Sequence, residues 1–314
     1  MVSKHHGTGI AAGVLAGALW GLVFLAPELT PGFAPLQLSA GRYLAYGLVA
    51  AVLIAPSWRR LTGQLRWRAW RGLVWLSLTG NLVYYVLLAS AVQAGGVAMT
   101  SLVIGLLPVI VTVVGSRDQH AVPLRRLVPS LLLSVAGLAC ISWQSLAGPD
   151  HGSALGLLCA VGALVSWTTY AVANSRWLGR LHGVSAHEWS LLTGLVTGVL
   201  ALVLAVPAFV LAAPRQAGAD WGQFLTVVAG IAIFGSLIGN GLWNYASRAL
   251  PLTMVGQMIV FETVFAALYG FIWEQRWPTA AEALAMALLL GGVLLCASAH
   301  RAPPASAGAA LPAA

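Results

Sequence analysis

Long apolar stretches recur along the whole chain and are separated by short polar connections. Ten of them reach the roughly 17–25 residues that an α-helix needs to cross a bilayer. They lie at 7–27, 34–55, 72–92, 96–115, 123–144, 152–174, 187–211, 222–247, 250–272 and 279–299. This pattern predicts an all-α integral membrane protein with ten transmembrane helices, called spans one to ten here. The connections at 93–95 and 249–250 are so short that we expect sharp turns there.

Composition excludes a soluble protein and gives no sign of catalysis. Hydrophobic residues make up 59% of the chain and charged residues 8%, whereas soluble domains carry roughly 25% charged residues. The three cysteines, Cys140, Cys159 and Cys296, lie in apolar runs without CxxC spacing, which is typical of small packing residues. The sequence has no P-loop, HExxH or GxSxG motif. We therefore predict neither an enzyme nor an ATP-driven pump, with no metal, cofactor or nucleic-acid partner.

Basic residues are distributed unevenly between the connections, which predicts the orientation in the membrane. Of the 16 Lys and Arg residues, one side is assigned Lys4, Arg59, Arg60, Arg66, Arg68, Arg71, Arg117, Arg125, Arg126, Arg176, Arg180, Arg248 and Arg301. The other side has only Arg215 and Arg276. Since positive charge is retained in the cytoplasm, both termini are predicted to be cytoplasmic.

The second half of the chain repeats the first at a fixed offset of 155 residues. Identical residues at this offset include Gly80, Leu82, Ala91, Gly115 and Gly137, which recur as Gly235, Leu237, Ala246, Gly270 and Gly292. Each copy holds five spans, and an odd number of spans places the second copy upside down relative to the first. We predict two inverted five-helix repeats at 7–145 and 152–299, a cytoplasmic N-terminus at 1–6 and a disordered cytoplasmic tail at 300–314.

Four short motifs resemble those of the ten-helix EamA-type members of the drug/metabolite transporter superfamily. They are Ala18-Leu19-Trp20-Gly21, Gly41-Arg42-Tyr43-Leu44, Pro108-Val109-Ile110 and the run Phe261-Glu262-Thr263-Val264-Phe265-Ala266-Ala267. The chain departs from the family pattern in two places: Thr263 stands where proline is usual, and Glu274 follows Trp273 where glycine is usual. The resemblance covers residues 7 to 299.

The resemblance implies a secondary transporter of a bacterial plasma (inner) membrane. The segments 162–170 and 242–244 are similar to members that export amino acids, aromatic ones among them. A small metabolite such as an amino acid is therefore the expected substrate, moved by alternating access. One alternative is a different transporter, either for efflux of drugs or organic cations or for metabolite uptake. A more remote alternative is a membrane-embedded enzyme or scaffold. Proton coupling is possible, and the oligomeric state is open.

Polar and aromatic side chains inside the spans are the candidates for substrate binding, because polar groups in hydrocarbon are costly unless they face the bundle interior. Span eight carries several at spacings of three and four, which puts them on one helical face. The candidates from spans three, six, eight and nine are Asn81, Tyr84, Tyr85, Trp167, Tyr170, Asn240, Trp243, Asn244 and Gln257. Each can instead serve as packing or as a hydrogen bond between helices.

Arg42 and Glu262 are the two charged residues placed well inside spans, where a charge costs roughly 2.5–3.5 kcal/mol on insertion scales. Arg42 is a candidate for binding a substrate carboxylate, or for bonding helix-end carbonyls. Glu262 is a candidate for proton coupling. However, it lies about 140° round the helix from Gln257, so if Gln257 faces the cavity, Glu262 faces a neighbouring helix. Pro108 lacks an amide hydrogen and predicts a kink, and a possible hinge, in span four.

Overall fold

The computed structural model describes residues 2–119, 121–146, 154–181, 183–211 and 220–301, and all regular structure in these ranges is helical. The α-helices are α1 (Val2–Gly21), α2 (Ala26–Leu29), α3 (Pro35–Ile54), α4 (Trp58–Gln64), α5 (Trp67–Ser77), α6 (Val83–Ile104), α7 (Leu107–Gly115), α8 (Leu124–Leu146), α9 (Ala154–Arg180), α10 (Ala186–Ala205), α11 (Trp221–Ile231), α12 (Gly239–Ala249), α13 (Leu252–Met258), α14 (Val260–Trp273) and α15 (Ala280–Arg301). The predicted N-terminal segment is helical from Val2, and most of the predicted disordered tail, 302–314, lies outside the described residues.

Eight helical segments in the described part are long and apolar enough to cross a membrane. They are His6–Leu29, Leu36–Gln64, Trp67–Val92, Ala154–Arg180, Ala186–Val210, Trp221–Ala249, Leu252–Trp273 and Ala280–Arg301. These correspond to predicted spans one to three and six to ten. Spans four and five correspond to the end of α6 with α7, and to α8. The fold is therefore the predicted all-α membrane protein built from two five-helix repeats.

The turn predicted at 93–95 is wrong, because α6 continues through it from Val83 to Ile104. The equivalent turn in the second repeat does form: α12 ends at Ala249, and Leu250 is extended at φ −115° and ψ 149°. Pro251 explains the difference. Its ring disfavours a helical Leu250 and it has no amide hydrogen to donate. At the 155-residue offset, Pro251 corresponds to Gly96, which permits helical backbone angles.

The helical pattern changes inside the spans at matching places in the two repeats. A π-helical segment at Leu78–Leu82 interrupts span three, and another at Ala232–Ile238 interrupts span eight at the equivalent position. Such segments are rare and frequently occur at functional sites. In span four, α6 ends at Ile104 and α7 begins at Leu107, so the helix breaks just before Pro108, where a kink is predicted. A hinge role for Pro108 stays a prediction.

The two repeats meet in reciprocal contacts that show an approximate two-fold relation. Gly47 of α3 and Gly198 of α10 touch through their backbones: a Cβ added to either would lie 2.5 Å from the Cα of the other. A Cβ added to Gly137 of α8 would lie 2.9 Å from the carbonyl oxygen of Ala285, and one added to Gly292 of α15 would lie 2.9 Å from that of Ser130. Helices without bulky side chains at their contacts pack closely in membranes.

Helix α1 packs against the helices of spans eight and nine along a ridge of glycines. Four glycines at every fourth position of α1 face Leu250, Met258, Phe261 and Ala266; they are Gly9, Gly13, Gly17 and Gly21. In the corresponding way, α9 of the second repeat packs against α6 of the first, and Gly80 lies against the ring of Tyr170. Spans one and six therefore each pack against the opposite repeat.

Ion pairs and backbone contacts join the two repeats at the end of the bundle that carries most arginines. Arg60 forms an ion pair with Glu188, and Arg176 Nη2 lies 2.8 Å from Asp118 Oδ1. Arg248 donates to the carbonyl oxygens of Val184 and Leu181 at the same end. The structure thus gathers these predicted cytoplasmic connections at one end.

The opposite end holds an aromatic cluster. The rings of Phe33 and Phe224 stack with centroids 4.1 Å apart, and Trp221 meets Phe33 edge-to-face at 4.8 Å. Side chains on the outer surface of the bundle are apolar and exposed, as lipid contact requires: Val203 is 75% exposed and Leu294 70%.

We expect Gly47→Ala to destabilise the protein, because the added Cβ meets the backbone of Gly198 and the helices must separate. Overpacking of this kind costs about 1–3 kcal/mol. Gly270→Ala is the matched control, since a Cβ added there meets nothing within 4 Å. Thermal unfolding in one detergent measures both. Equal unfolding temperatures for the two variants would contradict the contact.

Candidate functional site

Three tryptophans from spans one, six and eight meet at the centre of the bundle. The ring centroids of Trp20 and Trp243 are 5.1 Å apart, those of Trp167 and Trp243 5.8 Å, and those of Trp20 and Trp167 6.4 Å. Tyr170 adds an edge-to-face contact with Trp167 at 5.8 Å. All four side chains are at most 8% exposed. We call Trp20, Trp167 and Trp243 the tryptophan cluster; both repeats contribute to it.

Hydrogen bonds tie one of these indoles to span eight and leave another without a partner. Trp20 Nε1 donates to the carbonyl oxygen of Gly235 at 3.0 Å and to Asn240 Oδ1 at 3.2 Å. Gly235 belongs to the π-helical segment Ala232–Ile238. Within the described residues, Trp243 Nε1 has no hydrogen-bond partner although it is buried. A buried donor without a partner is costly.

Arg42 lies beside the same segment of span eight, with its terminal nitrogens free. Its Nε donates to Ser236 Oγ at 2.7 Å. Nη2 lies 3.6 Å from the position that a Cβ on Gly235 would occupy. In the part of the chain that the structure describes, neither Nη1 nor Nη2 has a hydrogen-bond or ion-pair partner. The half-buried guanidinium therefore keeps the two donors that can bind a carboxylate side by side.

Glu262 is close enough to Arg42 for the two charges to interact, although they form no direct ion pair. Both also interact electrostatically with Tyr84, which lies in span three. Glu262 is half-buried, and its backbone packs against α1: a Cβ added to Gly17 would lie 2.8 Å from Glu262 N. The two charges thus come from different repeats.

Gln257 lies on a different face and is bonded into the helix packing. Its Nε2 donates to Thr112 Oγ1 at 3.1 Å, its Oε1 accepts from Ser134 Oγ at 3.4 Å, and it is fully buried. Gln257 is therefore bonded to spans four and five, and its role in substrate binding stays a prediction. These bonds do not by themselves fix the direction of the Glu262 side chain.

Asn244 takes part in a buried chain of side chains. Asn174 Nδ2 donates to Asn244 Oδ1 at 2.8 Å, and Trp189 Nε1 donates to Asn174 Oδ1 at 3.0 Å. All three residues are at most 2% exposed. This chain joins spans six, seven and eight. Trp189 is absent from the sequence-based candidates.

The remaining substrate-binding candidates lie in span three of the first repeat. Asn81, in the π-helical segment Leu78–Leu82, donates through Nδ2 to Thr197 Oγ1 at 3.3 Å. Tyr84 and Tyr85 are half-buried, and each interacts electrostatically with Arg42. Asn81 thus contacts the second repeat, and substrate binding by Asn81, Tyr84 and Tyr85 stays a prediction.

The candidate polar residues differ in burial along the interface. Polar residues towards the arginine-rich end are at most 3% exposed: Asn174, Asn244, Ser247, Thr253 and Gln257. Those nearer the middle and the opposite end are half-buried: Arg42, Asn81, Tyr84, Tyr85, Asn240 and Glu262. Ser236, which bonds Arg42, is fully buried, so the middle of the bundle is closely packed as well.

Two helical repeats that enclose an aromatic and charged site at their interface define a membrane transporter of the inverted-repeat class. The sequence matches the EamA-like transporter family over residues 7–143 and 154–298, so the chain belongs to this family. It is 33% identical to the inner membrane protein YtfF of Escherichia coli (strain K12), over 95% of this chain and 97% of YtfF.

More distant matches agree with this membership. The uncharacterized transporter YoaV of Bacillus subtilis (strain 168) is 22% identical over 88% of this chain and 90% of its own. A solved crystal structure with 23% sequence identity has the same fold, with a TM-score of 0.73 over 95% of this chain and all of the other.

We expect Asn174→Leu to destabilise the protein. The change leaves two buried groups without hydrogen-bond partners, the indole N–H of Trp189 and the side-chain amide oxygen of Asn244. A lost partner of this kind costs about 1–3 kcal/mol. Asn81→Leu is the control, since Asn81 is half-buried and makes one long hydrogen bond. The free energy of unfolding of both variants in the same detergent is the readout. A loss at position 174 no larger than at position 81 would refute the role of this chain of bonds.

Proposed function

We propose that the protein is a secondary transporter that exports a small metabolite, such as an amino acid, by alternating access. It acts in a bacterial plasma (inner) membrane with both termini in the cytoplasm. The observation that carries the proposal is the site itself: the tryptophan cluster, Arg42 and Glu262 come from both repeats and converge at their interface. A site between two inverted repeats can be exposed to either side when one repeat rocks against the other.

The two ends of the interface support this mechanism. Ion pairs of Arg60 with Glu188 and of Arg176 with Asp118 hold the arginine-rich end closed. The charged pair keeps accessible surface at the same time. We infer that these ion pairs are formed in one stage of alternating access. Separation of those ion pairs would open the arginine-rich end of the interface in the other stage.

The lining of the site favours an amphipathic solute. Three indoles supply a large aromatic surface that binds an apolar side chain, and the free fork of Arg42 suits a carboxylate. Efflux of organic cations is the second candidate, because Glu262 offers a negative charge beside aromatic rings. Arg42 opposes it, since a positive charge next to Glu262 repels a simple cation.

Counterflow in proteoliposomes tests the proposal. Purified protein is reconstituted into vesicles loaded with one unlabelled amino acid, and entry of the labelled form is followed across all twenty. We expect exchange of at least one amino acid well above protein-free vesicles. Exchange of organic cations alone, or no flux of any solute by folded protein, would refute it.

We expect Trp243→Phe to weaken transport. The change keeps an aromatic ring in the cluster and removes an N–H that has no partner in the described residues. The smaller ring also leaves a void at this buried position, which costs stability, so thermal unfolding shows that the variant is folded before transport is measured. The concentration for half-maximal counterflow should rise about tenfold if the N–H bonds the substrate.

Trp221→Phe at the outer end of the bundle is the control for both measurements, since Trp221 is 47% exposed. It should leave counterflow unchanged. Unchanged counterflow in Trp243→Phe as well would remove Trp243 from the binding site.

A further inference from the structure

We propose that the exposed face of residues 58–77, called the α4–α5 segment here, binds phospholipids with a net negative headgroup in the leaflet at the arginine-rich end. The headgroup phosphate lies among the guanidinium groups of the segment, and the acyl chains lie against its exposed apolar side chains. This surface is outside the site between the repeats, and the proposal does not depend on which solute is transported.

The first observation is that the other face of the segment is packed firmly on the bundle. Leu61, Leu73 and Leu76 are fully buried. The rings of Trp58 in α4 and Trp70 in α5 meet edge-to-face, with centroids 5.9 Å apart. Because these contacts fix the two helices relative to each other and to the bundle, the exposed side chains form one preorganised surface.

The second observation is uncompensated positive charge on that surface. The sequence holds no acidic residue between Glu28 and Asp118, and Arg60 is paired with Glu188 of the second repeat. Within the described residues, the other guanidinium groups of the segment are exposed and have no hydrogen-bond or ion-pair partner. They belong to Arg59, Arg66, Arg68 and Arg71. Clustered basic residues next to a membrane attract anionic headgroups.

The third observation favours a lipid over a soluble anion. Positions 67, 71, 74 and 75 lie on one face of α5, because side chains three or four residues apart share a helical face. Val74 and Trp75, deeper in span three, are 40% and 55% exposed. The face becomes cationic at Arg71, and Trp67 at the outer end is 73% exposed. A phospholipid has the same order along its length, with apolar chains inside and a charged headgroup outside.

A lipid bound here should also stabilise the contact between the repeats. Arg60 reaches from the same segment to the second repeat, where it pairs with Glu188 and donates to the carbonyl oxygen of Gly183 at 3.1 Å. An anionic headgroup lowers the repulsion among the neighbouring arginines and so favours the conformation that holds Arg60 in place. Because the folded protein offers this surface and the unfolded chain does not, thermal unfolding reports the binding.

Two lipids with the same acyl chains test the proposal on purified full-length protein in detergent: phosphatidylglycerol, which is anionic, and phosphatidylcholine, which is zwitterionic. Native mass spectrometry measures how much of each lipid stays bound, and thermal unfolding measures the stabilisation. We expect about tenfold tighter binding of phosphatidylglycerol and the larger rise in unfolding temperature with this lipid. Glycerol 1-phosphate, which has the phosphate without acyl chains, should give no rise.

Four substitutions made together should abolish the preference for phosphatidylglycerol: Arg59→Gln, Arg66→Gln, Arg68→Gln and Arg71→Gln. They should not lower the unfolding temperature without lipid, because they break no bond of the described residues. Arg117→Gln combined with Arg125→Gln is the matched control. Both of these arginines are also exposed and without a partner in the described ranges, but they lie outside the segment, so the preference should persist.

Three results would overturn the proposal. Equal binding of the two lipids by the wild type would make the segment an interfacial anchor without headgroup preference. A rise in unfolding temperature as large with glycerol 1-phosphate as with phosphatidylglycerol would make the ligand a soluble anion. A preference that persists in the fourfold variant, or that falls equally in the control, would place lipid binding elsewhere on the protein.

Discussion

Backbone contact between the two repeats is the constraint on which the rest of the structure depends. In lipid no hydrophobic driving force pulls helices together, so close packing and hydrogen bonds must hold the bundle. Gly47 and Gly198 allow α3 and α10 to touch without side chains between them. The glycine ridge of α1 does the same against spans eight and nine. These contacts bring residues of both repeats near enough to share one site.

The sequence predicts the spans and the duplication, because hydrophobic length and a fixed offset are properties of the chain itself. It does not reveal how spans two and seven correspond. Gly47 and Gly198 lie 151 residues apart, as do the helix-capping residues Gln37 and Glu188, so the 155-residue alignment misses this pair of helices. Trp189 and Thr197, both in span seven, are therefore hidden from it.

Glu262 shows a second limit of reasoning from sequence. A helical wheel gives the angle between two side chains but not the direction that either one faces. Gln257 faces Thr112 and Ser134 because spans four and five supply polar partners there, and only the tertiary structure reveals those partners. The same holds for the predicted turn at 93–95: glycine permits both a turn and a helix, whereas Pro251 permits only one outcome in the second repeat.

An experimental structure of the protein with a bound amino acid that it exchanges tests most directly whether the interface between the repeats is the binding site. We predict ligand density between spans one, six and eight, next to the tryptophan cluster and Arg42. Density at Gln257 and Thr112, or outside the bundle with the tryptophan cluster unoccupied, would show that the substrate binds elsewhere.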